Sequence, residues 1–584
     1  MPHTLADAPD LVTLFRERVA ERPDAEAVAF LADPSDVAGG MARWSYARLD
    51  EEARGRAAWL RDRLAPGSRV LLLHPSGLEF AAALLGCLYA GMIAVPAPLP
   101  GRYRHHRRRL AAIAGDSGAA AVLTTARDLD EVRGWMAEAA AELPAAAGTP
   151  LGEGKLPVGA GDEPGFGDPR GWEPVPPDRS ATALLQYTSG STGAPKGVVI
   201  QHDQVLFNAA EGVRELRWHG HAGGWLPLYH DMGLNQLLWP LLNGDRCVLM
   251  EPSAFVRRPA RWLRLIDVHD VHMSFAPNFA FELCVRKVRD EELAGLDLSR
   301  WHLAGCGSEP IDPRVLDAFA DRFASAGFRR EALAPVYGLA EATVYVSGRP
   351  GRPPVTRRVD LEALAAGAFT PAAPGRPARE VVSCGAPTGT CEIRIVDPAS
   401  HEVLPEGRLG EIWLRGRSVS PGYWGRDDNA PIFAAVTAGG IGGHLRTGDL
   451  GTLHEGELYV HGRLKDMIIV HGRNVYPQDV EQELRARHPE LGKAGAVFGG
   501  PDAAAAESAV VVTHEVAGVP ADRLPALAAE IRHTVGREFG VGVAAVALLK
   551  PGSVPRTTSG KVRRSAMRDL FHEGRLTPLY QDAH

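Results

Sequence analysis

Short apolar runs alternate with longer helix-length stretches along the first quarter of the chain. Residues 70–73 are apolar, 77–90 have the length and composition of a helix, and 92–95 are apolar again. Residues 107–114 then suit a helix and 120–124 a strand. This alternation predicts βαβ units, a parallel sheet covered on both faces, and right-handed crossovers. The stretch 80–95 is almost wholly apolar, yet Gly86 and Gly91 interrupt it and Pro96 follows it. At about 16 residues it falls short of the roughly 20 that a membrane-spanning helix needs. A buried helix running into a buried strand fits it better.

Two stretches break the pattern. Residues 144–177 are rich in Pro, Gly and Ala without periodicity and read as a surface loop. Residues 348–378 carry many Pro, Gly and Arg around a helix-like piece at 359–366, as an insertion between ordered parts would. From residue 462 the texture changes again: 467–470 are strand-like, 479–488 helix-like and 509–512 apolar. A chain of 584 residues is too long for one hydrophobic core. The predicted fold class is α/β. A large N-terminal part of several subdomains (1–464) has parallel or mixed sheets sandwiched by helices and an insertion at about 348–380. A small, mobile α+β C-terminal domain (465–584) follows.

Composition narrows the function classes. At 45% apolar and 23% charged residues the chain is an ordinary globular one. A net charge of −7 is too weak to suggest nucleic acid or a membrane surface as the main partner, and no stable membrane insertion is expected. The basic cluster at 102–109 reads as a solvated loop and helix start. Six scattered cysteines without a Cys-x-x-Cys pair argue against a disulfide framework or zinc site and favour a reducing, cytoplasmic setting. Asp7 and Asp10 near the start do not suit a secretory signal.

The richest segment runs from Tyr187 to Val198, reading Tyr-Thr-Ser-Gly-Ser-Thr-Gly-Ala-Pro-Lys-Gly-Val between two strand-like runs. Its glycines, Gly190 and Gly193 among them, permit tight turns that aim backbone N–H groups into one concavity. Thr188, Ser189, Ser191 and Thr192 add hydroxyl donors, and Lys196 adds a mobile positive charge. The spacing is not that of a Walker loop, but the chemistry suits a polyphosphate. Further clusters follow in order. His230 and Asp231 stand at a helix start, with Asp231 as its cap. Tyr337, Glu341 and Thr343 offer a ring, a carboxylate and a hydroxyl. Asp449 and Arg463 suit a ribose diol, and Lys561 stands in a small-residue loop near the C-terminus.

That order resembles the adenylate-forming superfamily of acyl-CoA synthetases, luciferases and nonribosomal-peptide adenylation domains, over nearly the whole chain. Within it the chain is most similar to the fatty acyl-AMP ligases. The similarity rests on Leu226-Pro-Leu-Tyr-His-Asp-Met-Gly-Leu234, Ala276-Pro-Asn-Phe279, Gly307-Ser-Glu-Pro310, Val382-Ser-Cys-Gly385 and Gly472-Arg-Asn-Val-Tyr-Pro-Gln-Asp479. The insertion at about 348–380 stands where that family carries its own. Alanine is frequent there at the place of Ser308.

The resemblance implies a division of roles. Thr188, Ser189, Gly190, Ser191, Thr192, Gly193 and Lys196 would hold the β- and γ-phosphates of ATP. Gly307, Ser308, Glu309, Tyr337 and Gly338 would hold adenine. Asp449 would bind the ribose hydroxyls beside Arg463. Glu341 would coordinate Mg²⁺, and Thr343 would contact the α-phosphate. Lys561 would bridge the carboxylate and α-phosphate oxygens. His230 counts with the catalytic set and also with the substrate pocket, which would include Trp225, Met273, Phe275, Asn278 and Gly338 in a largely apolar tunnel. Lys465 and Asp466 would form the hinge. The implied reaction is ATP-dependent activation of a medium- or long-chain fatty acid, then transfer to a separate holo acyl carrier protein. A basic run at 550–575 offers a docking face for such an acidic partner. A conventional fatty acyl-CoA synthetase, an amino-acid-activating domain and a non-catalytic adenylate-binding scaffold stay open beside it.

Overall fold

The computed structural model describes residues 3–102, 104–142, 151, 155–188, 195–470, 473–500, 509–556 and 562–583. The early alternation folds as its pattern dictates. Strand Arg69–Leu73, helix Leu78–Tyr89, strand Ile93–Ala97, helix Arg104–Ser117 and strand Ala121–Thr124 succeed one another. The strands pair in parallel, and Thr182–Thr188 and Lys196–Gln201 complete a six-stranded sheet whose last pair is antiparallel. An eight-stranded sheet has a parallel centre, from Leu333–Tyr337 through Leu303–Cys306, Met273–Ala276, Ala222–Gly224 and Cys247–Leu249 to Glu26–Leu31.

The apolar stretch at 80–95 has a tertiary explanation. Helix Leu78–Tyr89 touches strands of both sheets and buries every side chain except that of Glu79, which pairs with Arg56. A helix between two sheets has no solvent face, so it reads as hydrophobic all round. Among the described residues no helix is long and apolar enough to cross a membrane. All six cysteines are buried and free.

Beyond the two large sheets, strands Cys391–Val396, Gly410–Gly416, Leu445–His454 and Glu457–Arg463 form an antiparallel sheet. The C-terminal part has its own mixed sheet of Leu491–Gly499, Val510–Val516, Val543–Leu549 and Tyr580–Ala583. Helices Pro477–Arg487 and Leu524–Phe539 share a separate hydrophobic core with it. This large-plus-small α/β arrangement is the one anticipated.

Two local readings need correction. The stretch 144–177 is not wholly loop: Val158–Ala160 adds an edge strand to the six-stranded sheet, pairing with Ala121–Thr124. Within 348–378, Val359 and Asp360 belong to strand Thr356–Asp360, antiparallel to Ala378–Val382, and only Leu361–Ala365 is helical. Asp360 accepts hydrogen bonds from the Glu362 and Ala363 amides, both at 3.0 Å, which switches the chain from strand to helix.

Candidate active site

Strand Leu333–Tyr337 of the eight-stranded sheet delivers Tyr337, and the chain turns at once. A Cβ on Gly338 would collide with the Val344 carbonyl oxygen, so only glycine fits there. A 3-10 turn, Ala340–Ala342, leads to Thr343, whose φ of 69° is uncommon for a β-branched residue. Its hydroxyl donates to the Ser418 carbonyl at 2.8 Å. Ser308, at the other loop over this site, also has positive φ, 66°. Such strain concentrates where a structure must hold a group in place. Glu309 accepts from the Phe279 amide at 2.7 Å, and a Cβ on Gly307 would crowd Val336.

Two polar arrays meet beyond the turn. The Tyr337 hydroxyl donates to Asp449 Oδ2 at 2.9 Å, and Arg463 Nε lies 3.1 Å from Asp449 Oδ1. Asp449 and Arg463 are register partners on adjacent strands, which fixes the pair. Asp449's charge raises the Arg463 pKa, outweighing burial. In the second array, Tyr423 donates to Glu341 Oε1 at 2.8 Å, and Lys196 Nζ stands 4.9 Å from the Tyr423 ring centre. Burial pushes the Glu341 carboxyl upward, the Tyr423 bond and Arg463 pull it down, and Asp449 pushes it up. The arrays therefore share one electrostatic field. Tyr423 is itself anchored, since the Trp424 amide donates to Gly197 and the Val199 amide to Gly422, at 2.7 and 3.0 Å.

Thr188 and Lys196 are register partners of the antiparallel pair in the six-stranded sheet. Ser189, Gly190, Ser191, Thr192 and Gly193 lie outside the described residues, as does Lys561. Arg109 donates to the Thr188 carbonyl at 3.1 Å. It is part-buried, which corrects its reading as a solvated charge. Its pKa is lowered by burial first and then by the positive charge of Arg563 from the C-terminal part. Arg556 and Val562 pair as an antiparallel bridge, so the residues flanking Lys561 are joined, and Arg563 shares the electrostatic surroundings of Arg109.

Lys465 and Asp466 occupy a short 3-10 turn, Leu464–Asp466, directly after Arg463. Asp466 receives Arg564 Nη1 at 3.0 Å, and Arg564 also holds Glu481 at 2.9 Å. Arg463 is thus tied to the large part and Asp466 to the small one. Arg564, and Arg568 and Arg575 beside Asp569 and Glu573, are engaged within the C-terminal part, which thins the basic face at 550–575.

On the other side of Tyr337 lies a cavity of about 40 Å³. It is lined by Phe275, Ser308, Val336, Tyr337, Gly338, Val344 and Tyr345, and by one face of helix Asp231–Asn243. Of the anticipated pocket residues, Phe275 and Gly338 line it. Trp225 does not: it stacks on Phe255 at 4.0 Å within an aromatic core that includes Trp262. Met273 is buried in its strand, and Asn278 accepts from the Asp312 amide at 3.2 Å. His230 is the helix N-cap, where Asp231 was anticipated, and Asp231 opens the first turn. Most of the lining is apolar or aromatic, with Asp231, Asn235, Gln236 and Ser308 as its polar members. Sequence reasoning missed Tyr423, Arg109, Asn235, Gln236 and Trp239. Only the i, i+4 spacing of Asn235 and Trp239 carried a signal.

Among the described residues, no group of three or more His, Cys, Asp or Glu could hold a metal ion. A part-buried carboxylate such as Glu341 fits Mg²⁺, which takes one or two carboxylates and completes its octahedron with phosphate and water oxygens.

The AMP-binding enzyme family profile matches residues 15–424. The chain is 38% identical to a 4-hydroxyphenylalkanoate adenylyltransferase of Mycobacterium marinum, over 98% of this chain and 93% of that one. It is 37% identical to the medium-chain-fatty-acid–[acyl-carrier-protein] ligase JamA of Moorena producens, over 97% and 95%. A solved structure from studies of fatty acyl-adenylate ligases of E. coli and L. pneumophila superposes with a TM-score of 0.85 at 31% identity, covering 98% of this chain and 99% of that one. Fold and relatives together define an ATP-dependent, adenylate-forming ligase. The chain belongs to the AMP-binding enzyme family and, within it, to the fatty acyl-AMP ligases.

Proposed function

We propose that this protein activates a medium- or long-chain fatty acid with ATP and passes the acyl group to the phosphopantetheine thiol of a separate holo acyl carrier protein. One observation carries the reading: Asp449 with Arg463 and Glu341 with Tyr423 form a single coupled charge field, with Lys196 over the Tyr423 ring, beside a cavity that could receive an acid.

In the first step a fatty-acid carboxylate oxygen attacks the α-phosphorus, and the bond to the bridging oxygen breaks, releasing pyrophosphate. Two anions must approach, so catalysis is chiefly positioning and electrostatic stabilisation. Lys196 and the hydroxyls of Thr188, Ser189, Ser191 and Thr192 would hold the outer phosphates, with Gly190 and Gly193 allowing close backbone approach. Tyr337 and the backbone of Gly307, Ser308 and Glu309 would pack on adenine, and Asp449 would exchange part of its Tyr337 and Arg463 bonding for the ribose diol. Thr343, held by strained backbone, would turn its hydroxyl from the Ser418 carbonyl to donate to the α-phosphate. Glu341 would hold Mg²⁺, which when bound neutralises phosphate charge. Lys561 would add a compact positive charge between carboxylate and α-phosphate. His230, capping the helix that lines the cavity, would orient the acid.

In the second step the carrier thiolate attacks the acyl carbon and AMP leaves. We place the domain boundary at 464/465, with Lys465 and Asp466 absorbing the rotation between the two steps. A carrier protein rather than free coenzyme A is supported by the acyl carrier protein that JamA takes as acceptor and by the insertion, whose Arg379 comes 2.9 Å from Asp479 in the C-terminal part. The test is pyrophosphate release from ATP with acids of graded length, followed by thioester analysis with coenzyme A or a holo carrier. Thioester on the carrier alone is the expected result. Thioester on coenzyme A would make this a conventional synthetase, and no pyrophosphate with any acid would end the ligase reading.

A further inference from the structure

The cavity beside Tyr337 has one wall that a plain hydrocarbon would serve badly. Helix Asp231–Asn243 turns residues 231, 232, 235, 236 and 239 toward it, the spacing of a single helix face. Two of these are polar, deeply buried and unsatisfied. Asn235 is 6% exposed and Trp239 3%. The Asn235 amide nitrogen donates to the Asp231 carbonyl at 2.9 Å, which fixes the amide orientation, because its oxygen could not bond there. Its Oδ1 then has no donor, and the Trp239 indole Nε1 has no acceptor. Gln236, between them in sequence, is already engaged, with Oε1 accepting from the Phe275 amide at 2.8 Å.

One acceptor and one donor therefore wait on the same helix face, one turn apart, where side chains stand roughly 5–6 Å from each other. A hydroxyl is the smallest group that donates to one and accepts from the other. Apart from Asp231, Gln236 and Ser308, the surroundings are apolar or aromatic. Phe275 packs on Trp218, Trp239 meets Trp218 edge-on at 5.7 Å, and a Cβ on Gly212 would collide with the Trp239 ring. The space, about 40 Å³, exceeds the roughly 10–15 Å³ that one water-sized group occupies.

We infer that the cavity selects an acid whose acyl part carries a hydroxyl, on a chain or a ring, seated between Asn235 Oδ1 and Trp239 Nε1. The inference rests on the ligase reading above and names the substrate class of that same site. An acid lacking the hydroxyl would bury both groups unpaired, and a site built to bond a hydroxyl rejects the analogue without it far more strongly than an apolar pocket rejects a missing methylene.

The experiment measures kcat/KM for pyrophosphate release with matched pairs: ω-hydroxyalkanoic against alkanoic acids, and 4-hydroxyphenylalkanoic against phenylalkanoic acids, each over a series of methylene counts. The expected result is a preference for the hydroxylated member of at least about 100-fold at one chain length, in the aliphatic or the aryl series. Asn235→Leu and Trp239→Phe should each cut that preference at least about tenfold, by losing more turnover of the hydroxylated acid than of the plain one. Trp239→Phe keeps an aromatic ring and so guards against a folding defect in Asn235→Leu. Equal or better use of plain acids by the wild type would overturn the inference and assign the two groups to ordered water. So would a preference that survives both substitutions. Failure of every acid to release pyrophosphate would instead fall on the ligase reading.

Discussion

The two sides of Tyr337 are built on opposite rules. On the side proposed for the nucleotide, Asp449 is bonded on both oxygens, Glu341 accepts from the Tyr423 hydroxyl and Thr343 donates a hydrogen bond to the Ser418 carbonyl. On the side proposed for the acid, Asn235 Oδ1 and Trp239 Nε1 have no hydrogen-bond partner. A satisfied network is rigid and preorganised, whereas an unsatisfied one is costly until a ligand completes it. The contrast teaches where each kind of selectivity resides. The nucleotide side would set the rate for whatever acid is bound, and the acyl side would decide which acid that is.

The most severe way to probe the nucleotide side is Lys561→Ala. Acyl-adenylate formation should fall by roughly 10²–10³ with the thermal midpoint unchanged, measured by pyrophosphate release. Full activity would remove the C-terminal lysine from the reaction. Asp449→Asn keeps shape and loses charge. The KM for ATP should rise by roughly 10- to 150-fold, about 1.5–3 kcal/mol, with the preference among acids untouched. A changed acid preference would dissolve the contrast between the two sides.

A smaller effect follows from Tyr423→Phe. The hydroxyl holds the Glu341 carboxyl down against burial. Without it the carboxyl's pKa climbs further, so the acidic limb of the kcat/KM profile should move to higher pH. The loss should be roughly five- to tenfold below neutrality and should recover as pH rises. A uniform loss at all pH values would mean that Tyr423 acts by packing alone.

The mildest prediction concerns the contact between the insertion and the small part. Arg379 Nη1 approaches Asp479 Oδ2 to 2.9 Å, but without hydrogen-bond geometry, so Arg379 Nε and Nη1 and Asp479 Oδ1 have no hydrogen-bond partner. Burial therefore wins over the nearby guanidinium, and the Asp479 carboxyl rises from 3.8 to about 7. A folded-state pKa above the unfolded one means that the folded protein holds the extra proton. This contribution to stability is complete below about pH 4 and fades as pH rises through about 7. Asp479→Asn should flatten the fall in thermal midpoint across that window. An unchanged slope would show that the carboxylate stays ionised against Arg379.

Much of the frame was legible from patterning. The strands and helices between residues 69 and 124 fall where the apolar periodicity puts them, because a parallel sheet buried on both faces leaves continuous apolar runs. Strand Thr356–Asp360 was hidden for the opposite reason. It reads Thr-Arg-Arg-Val-Asp, with only its last two residues buried, so its partner strand and not its composition makes it a strand. Trp225 and Arg109 misled in complementary ways. A tryptophan beside a site motif stands equally well in a core as in a pocket. An arginine in a basic run gives no sign that it will bend back to a carbonyl 79 positions away.

The sequence by itself determined the α/β frame, the hydroxyl- and glycine-rich segment after Tyr187, and the order of acidic and basic residues that marks an adenylate-forming ligase. Those features are local, set by side-chain chemistry within a turn or two of backbone. Tertiary structure alone decided that Tyr423 bonds Glu341, that Asp449 is bracketed by Tyr337 and Arg463, and that Asn235 and Trp239 line a cavity with unpaired polar atoms. Each of these depends on which distant groups share a volume with little water, and a hydrogen bond or its absence counts most where water cannot substitute.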